Sequence, residues 1–346
     1  FDSYGSVHRG AGQKSKISTA RYEESRPIIR KLIGASRDNY VLFTKNTTEA
    51  INHAAALWAS RPGKVLVSDI EHSSNLLPWV KYGEIVQFAT EEKQDCRIMR
   101  AEDVEKAFEK NKDIKLVAVT GASNITGFQP NIQALAQVAH KNGAKILVDA
   151  CQLVPHKLVD ISLDKTPEHL DFIAFSGHKM YAPYGSGVLV GPKEFFDESE
   201  PYQIGGGNLT YITSQLEMKR FPRVQSHDPG TPNAMGASAI AKAAQIIERS
   251  GYKEIQAYEH ALSEYFQERI PKVGSFHQYS IPLSNIIAFD LNTFDSRLVA
   301  EILANEYGIG VRAGSFCNYN LMRKIKGLTE EDDVRIDIQP MDGLDA

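Results

Sequence analysis

Cysteine is scarce. The 346 residues hold three, Cys96, Cys151 and Cys317, and none forms a C-x-x-C pair. That excludes a disulfide framework and a cysteine-rich zinc cluster. The ten histidines show no H-x-x-x-H pair and no Cys/His grouping at zinc-ligand spacing, so no metal site is expected. No apolar run approaches the roughly 20 residues that span a bilayer. The start, Phe1 to Gly12, also lacks the basic-then-apolar order of a signal peptide, so the expected location is the cytoplasm and no membrane partner is expected. An excess of one charge is missing as well: 39 Lys and Arg stand against 43 Asp and Glu, dispersed rather than in runs. Nucleic acid is therefore not an expected partner. Internal repeats and low-complexity tracts are absent.

What is present is an ordinary globular composition, 42% hydrophobic and 24% charged, long enough for two domains or one large one. Ile17 to Leu32 carries apolar residues at helical spacing and stops at Gly34. A strand from Val41 to Thr44 leads through Asn46-Thr47-Thr48 into a helix from about Glu49 to Ala59. Short apolar runs then recur at Val65–Val67, Ile85–Phe88, Leu116–Val119, Ile146–Val148, Phe172–Phe175 and Val188–Val190, several with amphipathic stretches between them. That alternation predicts an α/β fold, a mainly parallel sheet with helices on both faces. After Pro232 come helices over Asn233–Arg249 and Tyr252–Arg269, a strand over Ile286–Leu291, a helix over Ser296–Asn305 and a strand over Ile309–Arg312. These features divide the chain into a large domain over 1–247 and a smaller C-terminal α+β domain over 248–346.

In open α/β sheets ligands bind beyond the carboxyl ends of the strands. Two such ends stand out. Ile146-Leu147-Val148 delivers Asp149, and Phe172–Phe175 delivers Ser176-Gly177-His178-Lys179. A lysine that can bond an aldehyde, with a carboxylate that can hold a pyridine nitrogen protonated, is what pyridoxal-phosphate chemistry requires. An acid at a strand end is common in any doubly wound protein, and a lone lysine after a strand is usually a solvated one. Ser176 and His178 beside Lys179 add donors for a phosphate. Thr47-Thr48 at a helix N-terminus adds a second anion site, although Thr48 serves equally as a plain cap.

Beyond these residues, ordered motifs run through nearly the whole chain. They include Ser6-Val7-His8-Arg9-Gly10, Asn46-Thr47-Thr48-Glu49-Ala50, Glu71-His72-Ser73-Ser74-Asn75, Ser123-Asn124-Ile125-Thr126-Gly127 and Val148-Asp149-Ala150-Cys151-Gln152. Gly205-Gly206-Gly207, Gly230-Thr231-Pro232-Asn233 and Val311-Arg312-Ala313-Gly314 follow. With them the chain resembles the class V aminotransferase family of fold-type-I pyridoxal-phosphate enzymes, and within it the cysteine desulfurase and selenocysteine lyase group.

The resemblance implies that Lys179 carries pyridoxal 5'-phosphate, that His72 stacks on its ring and assists proton transfer, and that Asn124 and Gln152 bond the ring oxygen. Thr48, Ser176 and His178, with Thr47 at the same helix start, would take the phosphate. Thr231 would reach the phosphate of the neighbouring subunit, so a homodimer is implied. Arg335, with Arg312, would bind the substrate carboxylate. Cys317 would be the persulfide-forming nucleophile, next to the cation of Arg312, although a passive buried cysteine is the commoner outcome for any one Cys. The implied reaction converts L-cysteine to L-alanine and hands sulfur to an acceptor protein for Fe-S assembly or thiolation. A C-S lyase, a selenocysteine lyase or an aminotransferase of the same fold stays open as the alternative. Ser315-Phe316 stands where many relatives carry two histidines before the cysteine, and Asp337 where a serine is expected.

Overall fold

The computed structural model describes residues 2–93, 96–163, 166–221 and 224–328. Its centre is a sheet of seven strands: β1 (Asn39–Thr44), β2 (Lys64–Ser68), β3 (Ile85–Phe88), β6 (Ile114–Thr120), β7 (Lys145–Asp149), β8 (Phe172–Ser176) and β9 (Gly187–Pro192). The intervening β4 (Glu91–Lys93) and β5 (Cys96–Ile98) form a separate hairpin, as do β10 (Leu209–Ile212) and β11 (Met218–Arg220). The sheet order is β1-β9-β8-β7-β6-β2-β3. The run from β3 to β8 is parallel throughout, whereas β9 turns back antiparallel between β8 and β1.

Consecutive strand residues bury on opposite faces, which is why these strands read as unbroken apolar runs. Val117, Val119, Ile146, Val148 and Ile173 pack into one core. Leu116, Ala118, Leu147, Phe172 and Ala174 pack into the other. The expected alternation of strands and helices is thus present, with the one reversed strand, β9, lying next to the edge strand β1.

The first helix, Gln13–Leu32, ends as expected before Gly34, whose φ of +61° is the left-handed conformation that closes helices. It packs along the helix Ala234–Ser250. That second helix ends before Gly251 (φ +83°), after which the helix Tyr252–Arg269 begins. The C-terminal part adds β12 (Phe276–Gln278) paired antiparallel with β13 (Phe289–Leu291), and helices over Ser296–Tyr307 and Tyr319–Ile325. The strand expected over Ile309–Arg312 does not form. Apolar spacing marks a segment for burial, but a strand also needs a ladder partner, and this one, following left-handed Gly308, has none among the described residues. No described helix is long and apolar enough to cross a membrane.

Candidate active site

The parallel strands end together, in register Thr120 to Asp149 and Asp149 to Ala174, so the residues after them converge on one end of the sheet. Asp149 is buried, and its Oδ1 accepts a 3.0 Å hydrogen bond from the Cys151 N–H. Burial pushes its carboxyl upward, opposed by that bond and by the nearby positive charge of Lys179. Lys179 lies in the 3-10 turn Gly177–Met180 directly after β8. Gly177 is needed there, because a Cβ would lie 2.3 Å from the Ser186 hydroxyl, while its N–H donates to the Ser186 carbonyl at 2.7 Å.

The segment after β2 enters from the side. Glu71 is buried and accepts from Ser68 Oγ, from Asn75 Nδ2 at 2.7 Å and from the Thr120 N–H at 3.1 Å. Asn75 in turn accepts from the Trp79 indole at 3.1 Å. Burial pushes the Glu71 carboxyl up to about 8 in spite of these donors, and Asp149 adds to the rise. This network tethers the following residue, His72, which half-buried faces the cavity described below. Its Nδ1 accepts from the Ser74 N–H at 3.1 Å, leaving the ring proton on Nε2. Burial and the charges of Lys179 and Arg312 lower His72 to about 4, so the ring is neutral at pH 7.

A cavity of about 630 Å³ opens at this point. His72, Asn124, Gln152 and Lys179 line one side, and the segment from Gly310 to Phe316 with part of β13 lines the other. Cys317 lies just behind that second wall, where the Arg312 guanidinium donates to its Sγ at 3.1 Å. Phe316 (φ +54°) and Cys317 (φ +56°) both adopt the left-handed conformation, a cost the surroundings must meet. They meet it with four hydrogen bonds. The Cys317 carbonyl accepts from the Ser73 N–H and the Ser73 hydroxyl, each at 2.8 Å. The Phe316 carbonyl accepts from Asn124 Nδ2 at 2.9 Å, and Asn318 Nδ2 donates to the Ile70 carbonyl at 2.8 Å.

The expected anion-binding residues divide into two groups. Thr47 and Ser176 are buried against each other, with the Thr47 N–H donating to Ser176 Oγ at 2.7 Å and the two hydroxyls 2.6 Å apart. Thr48 is exposed at the start of the helix Thr47–Trp58, its hydroxyl 2.7 Å from that of Ser74. His178 is exposed too, and is lowered by partial burial and by Lys179. Thr231 is exposed beside Gly230, away from this chain's cavity lining. Arg335 lies outside the described residues.

Sequence reasoning assigned no role to Glu71, Ser73, Ser74 or Asn318. The signal for the first three was their adjacency to His72, since a segment that carries a site side chain must itself be anchored. Asn318 had no signal of its own, because its partner, the Ile70 carbonyl, is 248 positions away.

The family model described as aminotransferase class-V matches residues 1–338. A probable cysteine desulfurase of Halalkalibacterium halodurans is 32% identical over 92% of this chain and 78% of its own length. A probable cysteine desulfurase of Mycobacterium leprae is 30% identical over 92% of this chain, which spans about half (52%) of that longer relative. Among solved structures, a cysteine desulfurase of Thermococcus onnurineus superposes with a TM-score of 0.84 at 32% identity, covering 94% of this chain and 81% of that one. On the breadth of these matches, and with the strand ends that the fold brings together, the chain belongs to the aminotransferase class-V family.

Proposed function

We propose that the chain is a pyridoxal-phosphate-dependent cysteine desulfurase, releasing L-alanine from L-cysteine and retaining the sulfur as a persulfide on Cys317. The observation that carries this reading is one cavity with Lys179 and the field of Asp149 on one side, and on the other Arg312 holding the Cys317 sulfur at 3.1 Å.

The donor set suits the cofactor. Among the described residues Oδ2 of buried Asp149 accepts no hydrogen bond, and a pyridine N–H would satisfy it while relieving the cost of burying the charge. Bound pyridoxal phosphate supplies an aldehyde that bonds an amine and a ring that takes up an electron pair. Lys179 would hold the aldehyde and, once released by substrate, move the substrate Cα proton. Neutral His72 would lie against the ring without charge repulsion, and Asn124 and Gln152 would serve its oxygen. Thr48 and His178, backed by Thr47 and Ser176, would hold the phosphate at a helix N-terminus. Arg312 and Arg335 would orient the substrate carboxylate. The Cys317 sulfur then attacks the substrate sulfur: an S–S bond forms, the C–S bond breaks, and the pair left on carbon is protonated to give alanine.

The same reading places the reaction in the cytoplasm, in a homodimer whose partner subunit supplies Thr231, with a protein acceptor for the sulfur. Its division is a large unit over 1–247 and a small one over 248–346. The dimer is supported by apolar side chains left in solvent near that loop and the lysine turn, among them Tyr181 at 91% exposure, Tyr184 and Ile204.

Intact mass measurement after incubation with L-cysteine tests the proposal. The expected result is one added sulfur on Cys317, removable by reductant, and a Cys317→Ala protein that keeps its cofactor absorbance but loses alanine formation. Wild-type turnover by Cys317→Ala, or release of sulfide and pyruvate with no persulfide, overturns it in favour of a C-S lyase.

A further inference from the structure

Two of the ordered motifs, Ser6 to Gly10 and Gly205 to Gly207, have no part in the reaction above, yet the fold joins them. Exposed Arg9 donates from one nitrogen, Nη2, to two backbone carbonyls, that of Gly206 at 3.1 Å and that of Gly230. The Gly230 N–H completes the junction by donating to the Gly206 carbonyl at 2.7 Å. Gly207 (φ +98°) makes room for it, because a Cβ there would lie 1.6 Å from Arg9 Nη2 and would push the guanidinium away. The residues on either side of Arg9 are tied to the first helix: the His8 N–H donates to Thr19 Oγ1 at 2.9 Å, and the Gly10 N–H to Ser15 Oγ at 3.0 Å.

That helix also grips the chain just before Gly230. Asp228 is buried and accepts from the Arg26 guanidinium and, at 2.9 Å, from the Tyr22 hydroxyl. Past Thr231, Asn233 Nδ2 donates to the carbonyls of Tyr184 and Gly185 at 2.6 and 2.9 Å, while its Oδ1 caps the helix Ala234–Ser250. Thr231 is thus clamped from both sides, and its own exposed hydroxyl has no partner among the described residues.

We propose that Arg9 is a positioning residue for the cofactor phosphate of the partner subunit, acting through Thr231: by holding the Gly206 and Gly230 carbonyls it fixes the loop that presents the threonine hydroxyl. This rests on the reading that Thr231 crosses to the neighbouring site. Freezing a loop costs conformational entropy, and a clamp already in place before binding removes that cost from the binding step. A guanidinium suits the task, since it is always charged and its donors are set in a rigid plane. Each cofactor site is then completed by the amino-terminal segment of the other chain.

Titration of the full-length, cofactor-stripped dimer with pyridoxal phosphate and with pyridoxal, which lacks the phosphate, tests the proposal. Arg9→Ala should weaken pyridoxal phosphate about ten-fold, the worth of one hydrogen bond to a charged group. It should leave pyridoxal unchanged, which also shows that the fold is kept. Thr231→Ala should do the same, and the double variant should bind no more weakly than either single one. In a mixed dimer of Arg9→Ala and Lys179→Ala subunits, the one site that keeps Lys179 takes its Thr231 from the chain with Arg9 intact, so its affinity should return to the wild-type value. Equal weakening of pyridoxal, additive losses in the double variant, or a mixed dimer without recovery overturns the proposal. A weakened Thr231→Ala beside an unchanged Arg9→Ala overturns it alone, whereas unchanged pyridoxal phosphate binding by Thr231→Ala removes the reading beneath it as well.

Discussion

The two walls of the candidate active-site cavity are built in different ways. One is borne by the sheet: Asp149 ends β7, Lys179 follows β8 within one turn, and the segment of His72 is tied through Glu71 to the Thr120 N–H. Backbone ladders fix those positions before any site side chain is considered. The other wall, Gly310 to Phe316 with Cys317 directly after it, belongs to no ladder among the described residues, and Phe316 and Cys317 are held in the left-handed conformation by side-chain bonds from Ser73, Asn124 and Asn318. On the proposed function, the cofactor would need an unmoving mount, whereas a nucleophile that takes up sulfur and passes it on would need a mount able to release. Loop residues held by a few hydrogen bonds, each worth about 1 kcal/mol net, meet the second need.

The comparison breaks most sharply at Lys179. Lys179→Ala is expected to lower alanine formation by at least about 10³-fold, and borohydride reduction with peptide mapping of the wild type should place the pyridoxyl group on this lysine. A label on any other lysine removes the chemistry from the sheet-borne wall. Glu71→Ala should destabilise the fold by about 3 kcal/mol, read by denaturant unfolding, because it strands buried donors on Ser68, Asn75 and the Thr120 backbone.

The same wall carries a pH signature. Glu71 is raised from about 4.5 to about 8 in the folded chain, so its stabilising term is full below about pH 4.5 and lost as pH climbs to 8. Glu71→Gln should flatten that part of a stability profile. His72 on that wall, and outside it His53, buried in the helix Thr47–Trp58 against His227, are lowered to about 4 and about 3. They oppose folding as pH drops below about 6.5, where the unfolded chain gains protons the folded one refuses. A His53→Gln protein should lose less stability than wild type between pH 6.5 and 4. The smallest effect belongs to the loop wall alone: Ser73→Ala removes one bond to the Cys317 carbonyl. Cofactor absorbance should be unchanged and kcat for alanine should fall roughly five-fold, the equivalent of about 1 kcal/mol. Equal losses of cofactor and turnover would mean that the two walls are one unit.

The sheet-borne wall was legible in the sequence because its signals are local. Continuous apolar runs marked the strands, and the polar residues after two of them, Asp149 and Lys179, stand where expected at the strand ends, with Lys179 lining the cavity. The helix expected over Ile17–Leu32 forms over Gln13–Leu32, and that over Tyr252–Arg269 forms as expected, both from their periodicity. Ile309–Arg312 was misread as a strand for the same reason, since apolar spacing says nothing of whether a partner strand is within reach. The grip of Ser73 on Cys317 spans 244 positions and leaves no periodic trace.

By itself, then, the order of residues determined the strands of the central sheet, most helices and which polar residues stand at the strand ends, because those depend on contacts between near neighbours and on the period of burial. Only the tertiary structure decided that Ser176 turns its hydroxyl to Thr47, that Arg312 meets the Cys317 sulfur and that Arg9 joins Gly206 to Gly230. It also decided that Glu71 is buried deeply enough to rise to about 8. Hydrogen-bond partners and pKa values depend on what packs against a group from distant parts of the chain, and no local pattern of residues encodes that.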